Sequence, residues 1–511
     1  MPNDTPPLLA LRTDADARIG AGHVMRCLAL AQEWRRQGGE AVFLGRIESP
    51  HLNSRLAAEG IAIAPLSAIH PDPGDLPQTL HWLRQKRQGN DWLIVDGYHF
   101  DPAYHRAVRD TGWPLLVIDD YGHLPAYHAD ILVNPNLYAD EMSYPTDAGT
   151  LRLTGSRYAL LRREFRRPIP PVSPPEANGT ASRILVTMGG ADPDNVSGKV
   201  LDALIATRRN DLEVKIIIGP LNRHRQELAA RLPQLPFHAE LLGPVTEMTP
   251  LMRWAELAIS AAGSTCWELA ALGVPMAVAI LAENQERLAA SLARHGAACN
   301  LGWFHDWRPG QTVKRLARIM DDTDLRRDLG AQGQQLVDGQ GCARLTRILR
   351  IFPFSLRPAT AADRRTVFTW ANDPEVRRAS FQPEAISWRD HCQWFAARLA
   401  DQKHLFLIVT AADGTPLGQI RFALEGLGQA SISVGLGPEL RGLGLGGPII
   451  HLAVEQALAD NQSLTAVRAL IKPENTASRR AFAKAGFHPD GPIVHAGQPA
   501  TALTYLRGNA P

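Results

Sequence analysis

Residues 12–31, RTDADARIGAGHVMRCLALA, constrain the fold of this chain most strongly, because they have the pattern of a strand end, a glycine loop and a helix start. Gly20 and Gly22 lack Cβ, so the loop can adopt positive φ and approach a ligand closely. The helix that follows points unpaired N–H groups and its positive end toward the loop. The pattern therefore predicts an anion site, for a group such as a pyrophosphate, where an α/β unit begins.

His23 stands at the start of this predicted helix. The positive end of a helix disfavours an imidazolium, so we expect a neutral imidazole, which is the form that accepts a proton as a base. The alternative is that His23 caps the helix or packs in the turn. The spacing alone leaves both interpretations open.

The length of 511 residues exceeds what one hydrophobic core usually serves, so we expect about three domains. A net charge of +2 gives no reason to expect nucleic acid or an anionic membrane as partner. The five cysteines are odd in number, far apart and form no CxxC pair, so they suggest neither a disulfide framework nor a zinc site and fit a reducing compartment. The longest apolar region, 257–282, is interrupted by Gly263, Glu268, Gly273 and Pro275. We therefore expect a cytoplasmic protein without membrane insertion.

Three apolar runs in the first third of the chain end in polar residues: 92–96 (WLIVD), 115–120 (LLVIDD) and 130–136 (DILVNPN). Such runs are typical of buried parallel strands, whose carboxyl ends carry polar side chains into a crevice. The proline-rich stretch 168–182 predicts a linker. Just before it, Arg162, Arg163, Arg166 and Arg167 form either a solvated face or a contact for phosphate.

A second α/β unit begins with the apolar run 184–188 and a turn that contains Gly190. Within it, residues 260–275 (SAAGSTCWELAALGVP) again have the pattern of a strand, a glycine turn and a helix start. Thr265 and Glu268 have the spacing of a capping box. In the alternative interpretation Glu268 accepts hydrogen bonds from ribose hydroxyls, and the amides near Ser264 and Thr265 hold phosphate.

The last part of the chain begins after Arg350 and has strands at 405–410, 418–422 and 430–436. After the last of these strands comes a glycine loop, RGLGLG, and a helix. The amides of such a loop can bind a pyrophosphate, and Arg441 adds positive charge. The predicted loop site comprises Arg441, Gly442, Gly444 and Gly446, with Asn475 and Ser478 downstream in NTASRRAFAKAGF.

Residues 8 to about 350 resemble the UDP-sugar hydrolases of pseudaminic acid biosynthesis, which convert UDP-2,4-diacetamido-2,4,6-trideoxy-β-L-altropyranose to the free sugar and UDP. The motifs that carry the resemblance are residues 12–31, VIDD, DILVNPN, GSRYALLRREF, MGGADPDN, GSTCWELAALGVP and ENQ. The broader similarity is to inverting GT-B glycosyltransferases, which bind UDP in their C-terminal half. The resemblance implies that His23 activates water and that Gly20 and Gly22 shape its loop. It implies substrate and UDP contacts at Arg162, Gly190, Ser264, Thr265, Glu268, Asn284 and Gln285, without a metal.

Residues 354 to about 508 resemble the GNAT N-acetyltransferases, and WANDPEVRRASF with HCQWF is similar to members that acetylate amino sugars or protein N-termini. This resemblance implies that RGLGLG holds the pyrophosphate of acetyl-CoA. Many members have a tyrosine that protonates the departing CoA thiolate, whereas here Phe482 stands at that place. Phenylalanine cannot donate a proton, so water or another residue does so, or the domain is slow or inactive.

Together these patterns predict an α/β protein with two Rossmann-like domains in a GT-B arrangement and a C-terminal α/β GNAT domain. The expected boundaries are 1–167, a linker at 168–182, 183–350, and 354–511. The expected function is bifunctional: the C-terminal domain acetylates a UDP-4-amino-sugar with acetyl-CoA, and the N-terminal pair hydrolyses the product. The alternatives are a GT-B glycosyltransferase with a UDP-sugar donor, and a GNAT module that binds acetyl-CoA or substrate without catalysis.

Overall fold

The computed structural model describes residues 6–16, 18–86, 91–166, 179–219 and 222–508. The chain forms two compact units, Met1–Thr346 (unit 1) and Arg347–Pro511 (unit 2). Residues 168–178 of the predicted linker lie outside the described residues, and residues 179–182 lie within them. Arg167 also lies outside the described residues. We call residues 6–166 and 179–346 the first and second halves of unit 1.

The first half is a parallel sheet with helices between its strands. Its strands are β1 (Leu8–Arg12), β2 (Glu40–Gly45), β3 (Ala62–Pro65), β4 (Trp92–Asp96), β5 (Leu115–Ile118), β6 (Ile131–Asn134) and β7 (Leu151–Thr154). Its helices are α1 (Gly22–Arg36), α2 (Pro50–Ala58), α3 (Asp75–Lys86) and α4 (Pro102–Arg109). The strand order is β3-β2-β1-β4-β5-β6-β7, so the order reverses between β1 and β4. Every residue of β4, β5 and β6 is buried, as expected of strands covered on both faces.

The second half repeats this plan. Its strands are β8 (Arg183–Thr187), β9 (Glu213–Ile217), β10 (His238–Leu242), β11 (Leu257–Ala261), β12 (Met276–Ile280) and β13 (Cys299–Trp303). Its helices are α5 (Val196–Ala206), α6 (Arg225–Arg231), α7 (Thr249–Trp254), α8 (Thr265–Leu272), α9 (Glu283–Arg294), α10 (Pro309–Asp321) and α11 (Thr323–Leu336), followed by α12 (Gly341–Ile351) at the boundary of the unit. The strands are parallel in the order β10-β9-β8-β11-β12-β13, and the reversal falls between β8 and β11. Open α/β sheets bind ligands at such reversals, at the carboxyl ends of the strands.

The two halves of unit 1 share a hydrophobic core. Tyr138, Leu161 and Phe165 of the first half belong to the same buried cluster as Trp267 and Leu269 of α8. Phe165 is fully buried, and burying such a side chain contributes about 1.5–3 kcal/mol. This shared core holds the segment that contains Arg162 against the second sheet.

Unit 2 is a mixed sheet. Its strands are β14 (Ser355–Pro358), β15 (His404–Thr410), β16 (Pro416–Gly426), β17 (Gln429–Leu436), β18 (Ala466–Ile471), β19 (His488–His495) and β20 (Gln498–Leu506). Its helices are α13 (Arg364–Ala371), α14 (Pro374–Ala379), α15 (Trp388–Ala400), α16 (Gly446–Asp460) and α17 (Thr476–Lys484). The order is β14-β15-β16-β17-β18-β20-β19, and all neighbours are antiparallel except β17 and β18.

The parallel pair β17 and β18 is joined along a short stretch, from Gln429 opposite Ala466 to Ser431 opposite Arg468. Beyond it both strands continue, β17 to Leu436 and β18 to Ile471, without pairing with each other. The sheet therefore opens between them, next to the glycine loop that follows β17. None of the helices in the described part of the chain combines the length and apolar character needed to cross a bilayer.

Candidate active sites

His23 lies at the strand-order reversal of the first sheet, as the second residue of α1. The residue is 8% exposed, and its Nδ1 is 2.7 Å from Oδ1 of Asp96, the last residue of β4. Because β1 and β4 are neighbours in the sheet, the helix that follows β1 begins beside the end of β4. The strand order thus brings the histidine and the carboxylate together.

Asp96 is fully buried and is held by Arg26, one turn after His23 on α1. Arg26 Nε donates to Asp96 Oδ2 at 2.6 Å, and Nη1 donates to both carboxylate oxygens of Asp120, at 2.9 and 2.8 Å. Burial by itself raises the pKa of Asp96, but the positive charge of Arg26 and the contact with His23 outweigh it. The pKa of Asp96 therefore lies well below its usual range, and the group is a carboxylate.

This carboxylate determines the tautomer of His23. A carboxylate can only accept hydrogen bonds, so Nδ1 carries the proton and donates it to Asp96. The contact of Arg26 Nη2 with Nδ1 is longer, at 3.2 Å, and joins two donors. In the neutral imidazole Nε2 then carries the lone pair, and no residue in the described ranges hydrogen-bonds to it. A histidine oriented by a buried carboxylate with its second nitrogen free is the arrangement of a general base.

Tyr98 completes the surroundings of His23. Its ring meets the imidazole edge-on, with centroids 4.7 Å apart, and its hydroxyl donates to Asp120. Burial, and after it the charge of Asp120, raises the pKa of Tyr98 far above its usual value. Sequence reasoning missed the grouping of Asp96, Arg26, Asp120 and Tyr98 around His23. The acids at the ends of β4 and β5 were the available signal, but their pairing with His23 depends on the strand order.

The glycine loop before α1 leaves space in front of the helix. Gly20 has φ of +78°, as predicted, whereas Gly22 lies outside the left-handed region. A Cβ at either position would meet no atom within 4 Å, and no side chain caps α1. The first amides of α1 are therefore not capped by a side chain of the described residues, and the two glycines beside them have room for a ligand to approach.

Glu268 lies in the first turn of α8, at the reversal of the second sheet. The capping box does not form, because α8 begins at Thr265 with Ser264 as its N-cap, and no side chain caps it. Glu268 Oε1 instead accepts a hydrogen bond from Arg162 Nη2 at 3.0 Å. Arg162 is 5% exposed and also pairs with Glu164 at 3.0 Å. Burial raises the pKa of Glu268 above its usual range, although Arg162 opposes this.

The other predicted nucleotide contacts lie on neighbouring loops at the carboxyl edge of the second sheet. Gly190 follows β8, Ser264 and Thr265 follow β11, and Asn284 is exposed in the first turn of α9 after β12. Gln285 has a local role, since its Oε1 accepts a hydrogen bond from the Leu281 amide at 2.9 Å. The structure therefore places these residues along one edge of adjacent parallel strands.

The arginine cluster after β7 is largely ion-paired within unit 1. Arg166 pairs with Glu33 of α1, Arg163 contacts Glu59 at 3.3 Å, and Arg162 pairs with Glu268. Arg162 and Arg166 thus connect this segment to α8 and α1, while the Arg163 side chain is two-thirds exposed.

The glycine loop of unit 2 has the conformation that its sequence suggests. Gly442 and Gly444 have φ of +73° and +83°. A Cβ on Gly446 would lie 3.1 Å from the Cβ of Ala481, so this glycine lets α16 pack closely on α17. Arg441 is engaged elsewhere, because Nη1 donates to Asp373 at 3.0 Å and to Glu375 at 3.2 Å. Its Nη2 is buried and has no partner among the described residues.

The two predicted residues further along the chain stand at the start of α17. Asn475 caps this helix, and its side chain accepts a hydrogen bond from the Ser478 amide at 3.1 Å. Phe482 is buried and packs edge-on against Phe487, with ring centroids 4.9 Å apart. Among the residues that the structure describes, no group of three or more histidine, cysteine, aspartate or glutamate side chains could hold a metal ion.

Two family models match separate parts of the chain. Residues 183–322 match the Glycosyltransferase family 28 C-terminal domain, and residues 354–488 match the Acetyltransferase (GNAT) domain. The first match covers most of the second half of unit 1, and the second match covers most of unit 2. The prediction of two Rossmann-like sheets and a GNAT domain is confirmed.

Curated relatives match different extents of the chain. The uncharacterized protein MJ1062 of Methanocaldococcus jannaschii is 22% identical over 405 residues, covering 76% of this chain and 78% of that protein. The spore coat polysaccharide biosynthesis protein SpsG of Bacillus subtilis is 34% identical over 171 residues, covering 33% of this chain and 49% of SpsG. The match with SpsG thus spans about half of that relative.

Among solved structures, the aminoglycoside acetyltransferase AAC(6')-Ib in complex with coenzyme A is 22% identical, with a TM-score of 0.28. That comparison covers 30% of this chain and 95% of the acetyltransferase. By its two family matches, the chain carries a glycosyltransferase family 28 type domain followed by a GNAT acetyltransferase domain.

Proposed function

We propose that unit 1 hydrolyses a UDP-linked 2,4-diacetamido-2,4,6-trideoxyhexose to the free sugar and UDP, as the resemblance to pseudaminic acid hydrolases implies. The observation that carries this proposal is the His23–Asp96 pair, which leaves Nε2 of His23 without a hydrogen-bond partner in the described ranges. Nε2 takes a proton from water as the water oxygen attacks C1 of the sugar, and the bond from C1 to the UDP oxygen breaks with inversion.

The second half supplies the nucleotide site in this proposal. UDP leaves as an anion, which the amides at the start of α8, at Ser264 and Thr265, stabilise. Glu268 accepts hydrogen bonds from the ribose hydroxyls, and its other oxygen keeps the contact with Arg162. The family 28 match supports this assignment, since it covers β8 to α10, the region of the predicted UDP contacts.

Unit 2 N-acetylates the 4-amino group of a UDP-4-amino-sugar with acetyl-CoA. The amine nitrogen attacks the thioester carbonyl, the carbon–sulfur bond breaks, and the amine proton passes to the CoA thiolate. The opening between β17 and β18 offers unpaired backbone groups for the extended arm of the coenzyme, and the loop with Gly442 and Gly444 lies beside it. The match to the Acetyltransferase (GNAT) domain supports an acetyl-CoA donor, and the name of SpsG, a spore coat polysaccharide biosynthesis protein, supports a sugar substrate.

A second candidate function for unit 1 is glycosyl transfer. The name of the matching family favours it, because the same UDP site can serve a sugar donor whose acceptor is a hydroxyl other than water. For unit 2, Phe482 favours a second candidate, a module that binds acetyl-CoA without catalysis, because phenylalanine cannot donate a proton to the CoA thiolate.

The test is to give the full chain a UDP-4-amino-sugar with and without acetyl-CoA and to identify products by NMR. We expect UDP and the free diacetamido sugar with acetyl-CoA, and little UDP without it. A pocket that hydrogen-bonds the new amide rejects the smaller, charged amine, which leaves buried polar groups unpaired.

Other products would assign other functions. UDP release that requires an added sugar or lipid acceptor would indicate a glycosyltransferase. Binding of acetyl-CoA without acetylation would indicate a non-catalytic module, and UDP release independent of acetyl-CoA would contradict the two-step order.

A further inference from the structure

Arg421 is a guanidinium in unit 2 without an acidic partner. It lies on β16 and is partly buried, with its guanidinium carbon 4.8 Å from the ring centroid of Trp394 and 5.9 Å from that of Phe406. Within the described ranges, no carboxylate or carbonyl accepts a hydrogen bond from it, and its Nε is buried without a partner. A partly buried cation that has no hydrogen-bond acceptor is costly unless an anion joins it.

The sheet pairing shows which face Arg421 occupies. Arg421 stands directly opposite Ser433 on β17, and Ser431, two residues before Ser433, stands opposite Arg468 on β18. Cross-strand partners and residues two apart share a face of a sheet, so these four residues lie on one face. We call them the basic face.

The basic face is open to solvent beyond Arg421. Ser433 and Arg468 are exposed, whereas their neighbours Ile432 and Val467, on the opposite face, are buried. Trp394 of α15 covers Arg421 from one side. The face is therefore bordered by an aromatic side chain and has polar residues at its surface. It lies next to the opening between β17 and β18, where the proposed function places acetyl-CoA.

Positive charges predominate around Arg421. Burial first, and then the charges of Arg398 and Arg377, lower the pKa of Arg421 to about 10. Two nearby acids are already paired with other arginines. Asp401 lies 3.7 Å from Arg398, and Asp490 lies 4.0 Å from Arg468. Arg377 donates to the Gln382 and Glu384 carbonyls.

We propose that Arg421 selects an acceptor amine that carries a diphosphate, by binding its phosphate oxygens on the basic face. This inference rests on the proposed function, which makes the acceptor a UDP-linked amino sugar, and adds the residue that recognises its charge. A guanidinium forms paired hydrogen bonds with phosphate oxygens, and such contacts are strongest where water is partly excluded. The aromatic side chains beside it suit the uracil ring or an apolar sugar face.

The first experiment measures acetyl transfer by the full chain to a UDP-4-amino-sugar and to the corresponding free 4-amino-sugar. We expect Arg421→Gln to raise KM for the UDP-linked acceptor by about 10- to 100-fold, the range for a lost hydrogen bond to a charged group. KM for acetyl-CoA and the slower rate with the free sugar stay unchanged. Arg421→Lys keeps the charge but loses the paired hydrogen bonds, so we expect its KM for the UDP-linked acceptor to lie between those of the wild type and Arg421→Gln. Arg365→Gln, an exposed arginine on α13, is the matched control.

Equal losses with both acceptors would show that Arg421 supports packing, and unchanged kinetics in both Arg421 variants would show no contact; either overturns the inference. If Arg421→Gln does not fold, a selective rise of KM in Arg421→Lys supports the inference, and no rise overturns it.

A second experiment separates this inference from the proposed function. If the full chain acetylates no amino sugar, the proposed function of unit 2 fails. Hydrogen exchange of peptides from β16 and β17 with UDP or inorganic pyrophosphate then decides the inference, because it reports on unit 2 alone. Protection in the wild type that is lost in Arg421→Gln supports the inference, and absence of protection in the wild type overturns it.

Discussion

The imidazole of His23 and the carboxylate of Asp96 lie 73 residues apart in the chain and 2.7 Å apart in space. At this scale the chemistry of unit 1 depends on which nitrogen of His23 holds the proton. Asp96 keeps the proton on Nδ1, and Arg26 keeps Asp96 ionised. The three side chains therefore act as one group.

Replacing His23 tests its role as the base. We expect His23→Ala to reduce hydrolysis of the UDP-diacetamido sugar by about a hundredfold or more, with UDP affinity almost unchanged, since a general base acts on the transition state. Single-turnover rates and calorimetric titration with UDP measure the two quantities. Near-normal turnover would show that His23 caps or packs.

Replacing Asp96 tests the ion-pair network through stability. Since the folded-state pKa of Asp96 is lowered, its contribution is present above the unfolded pKa of about 3.9 and is lost as the pH falls toward the lower, folded-state value. We expect Asp96→Asn to destabilise unit 1 by about 3 kcal/mol at pH 7, because buried Arg26 loses a partner. Denaturant unfolding should show the difference from wild type shrinking below about pH 4. A difference that does not depend on pH would contradict the assignment.

Replacing Glu268 tests the nucleotide site. Glu268→Gln keeps the shape and removes the charge, so we expect UDP binding to weaken by about 1 to 3 kcal/mol. Titration with UDP measures this, and the thermal midpoint serves as the control for the lost ion pair with Arg162. A lower midpoint with unchanged UDP affinity would assign Glu268 to the Arg162 contact alone.

At the scale of elements, the loop after β8 is held in place by a close backbone contact with the loop after β9. A Cβ on Gly219, after β9, would lie 2.1 Å from the carbonyl oxygen of Gly190, after β8. These two loops are in close contact at the edge where the UDP contacts are proposed. The position of Gly190 therefore depends on a glycine in another loop.

Enlarging Gly219 tests this dependence. We expect Gly219→Ala to displace the Gly190 loop, with a loss of stability of about 1–3 kcal/mol and weaker UDP binding, because backbone cannot move aside as a side chain can. Gly310→Ala is the control, since a Cβ there meets no atom within 4 Å. Thermal melting and UDP titration of both variants measure the effect. Equal UDP affinity in the two variants would place UDP away from this loop.

At the scale of the whole molecule, the two units have separate cores and separate sheets. The boundary between Thr346 and Arg347 falls inside α12, whose beginning packs against the first half of unit 1, where Thr346 contacts Gln37 at 2.7 Å. In the proposed function, the product of unit 2 is the substrate of unit 1.

This order predicts which compound accumulates when one step is removed. We expect full-length His23→Ala, given a UDP-4-amino-sugar and acetyl-CoA, to accumulate the acetylated UDP-sugar, because the second step lacks its base. Residues 354–511 alone should make the same compound. Chromatography and NMR of the products measure this. If the added UDP-4-amino-sugar remains unacetylated in both samples, the proposed order is contradicted.

Local patterns in the sequence are sufficient to predict both Rossmann-like sheets and several of their strands to within a few residues, and the resemblance of the last part of the chain predicts the GNAT domain. Strand runs, glycine turns and helix starts depend on neighbours in the chain, so the structure agrees with the predicted strand at β4 and extends the predicted strand 418–422 at β16. The capping box at Thr265 and Glu268 does not form, since the helix begins one residue earlier than the box requires, and Glu268 instead binds Arg162, 106 residues away. The partners of side chains are therefore less predictable than the elements that carry them.

The sequence by itself determined that His23 follows a strand and a glycine loop, and that acids end the later strands. The tertiary structure decided which acid meets His23, since the strand order makes β4 the neighbour of β1. It also decided that Arg421 lies without a carboxylate on an open face, because pairing across β16, β17 and β18 sets its neighbours. The physical reason is that periodicity and turn chemistry act over a few residues, whereas these contacts join strands that are distant in the chain.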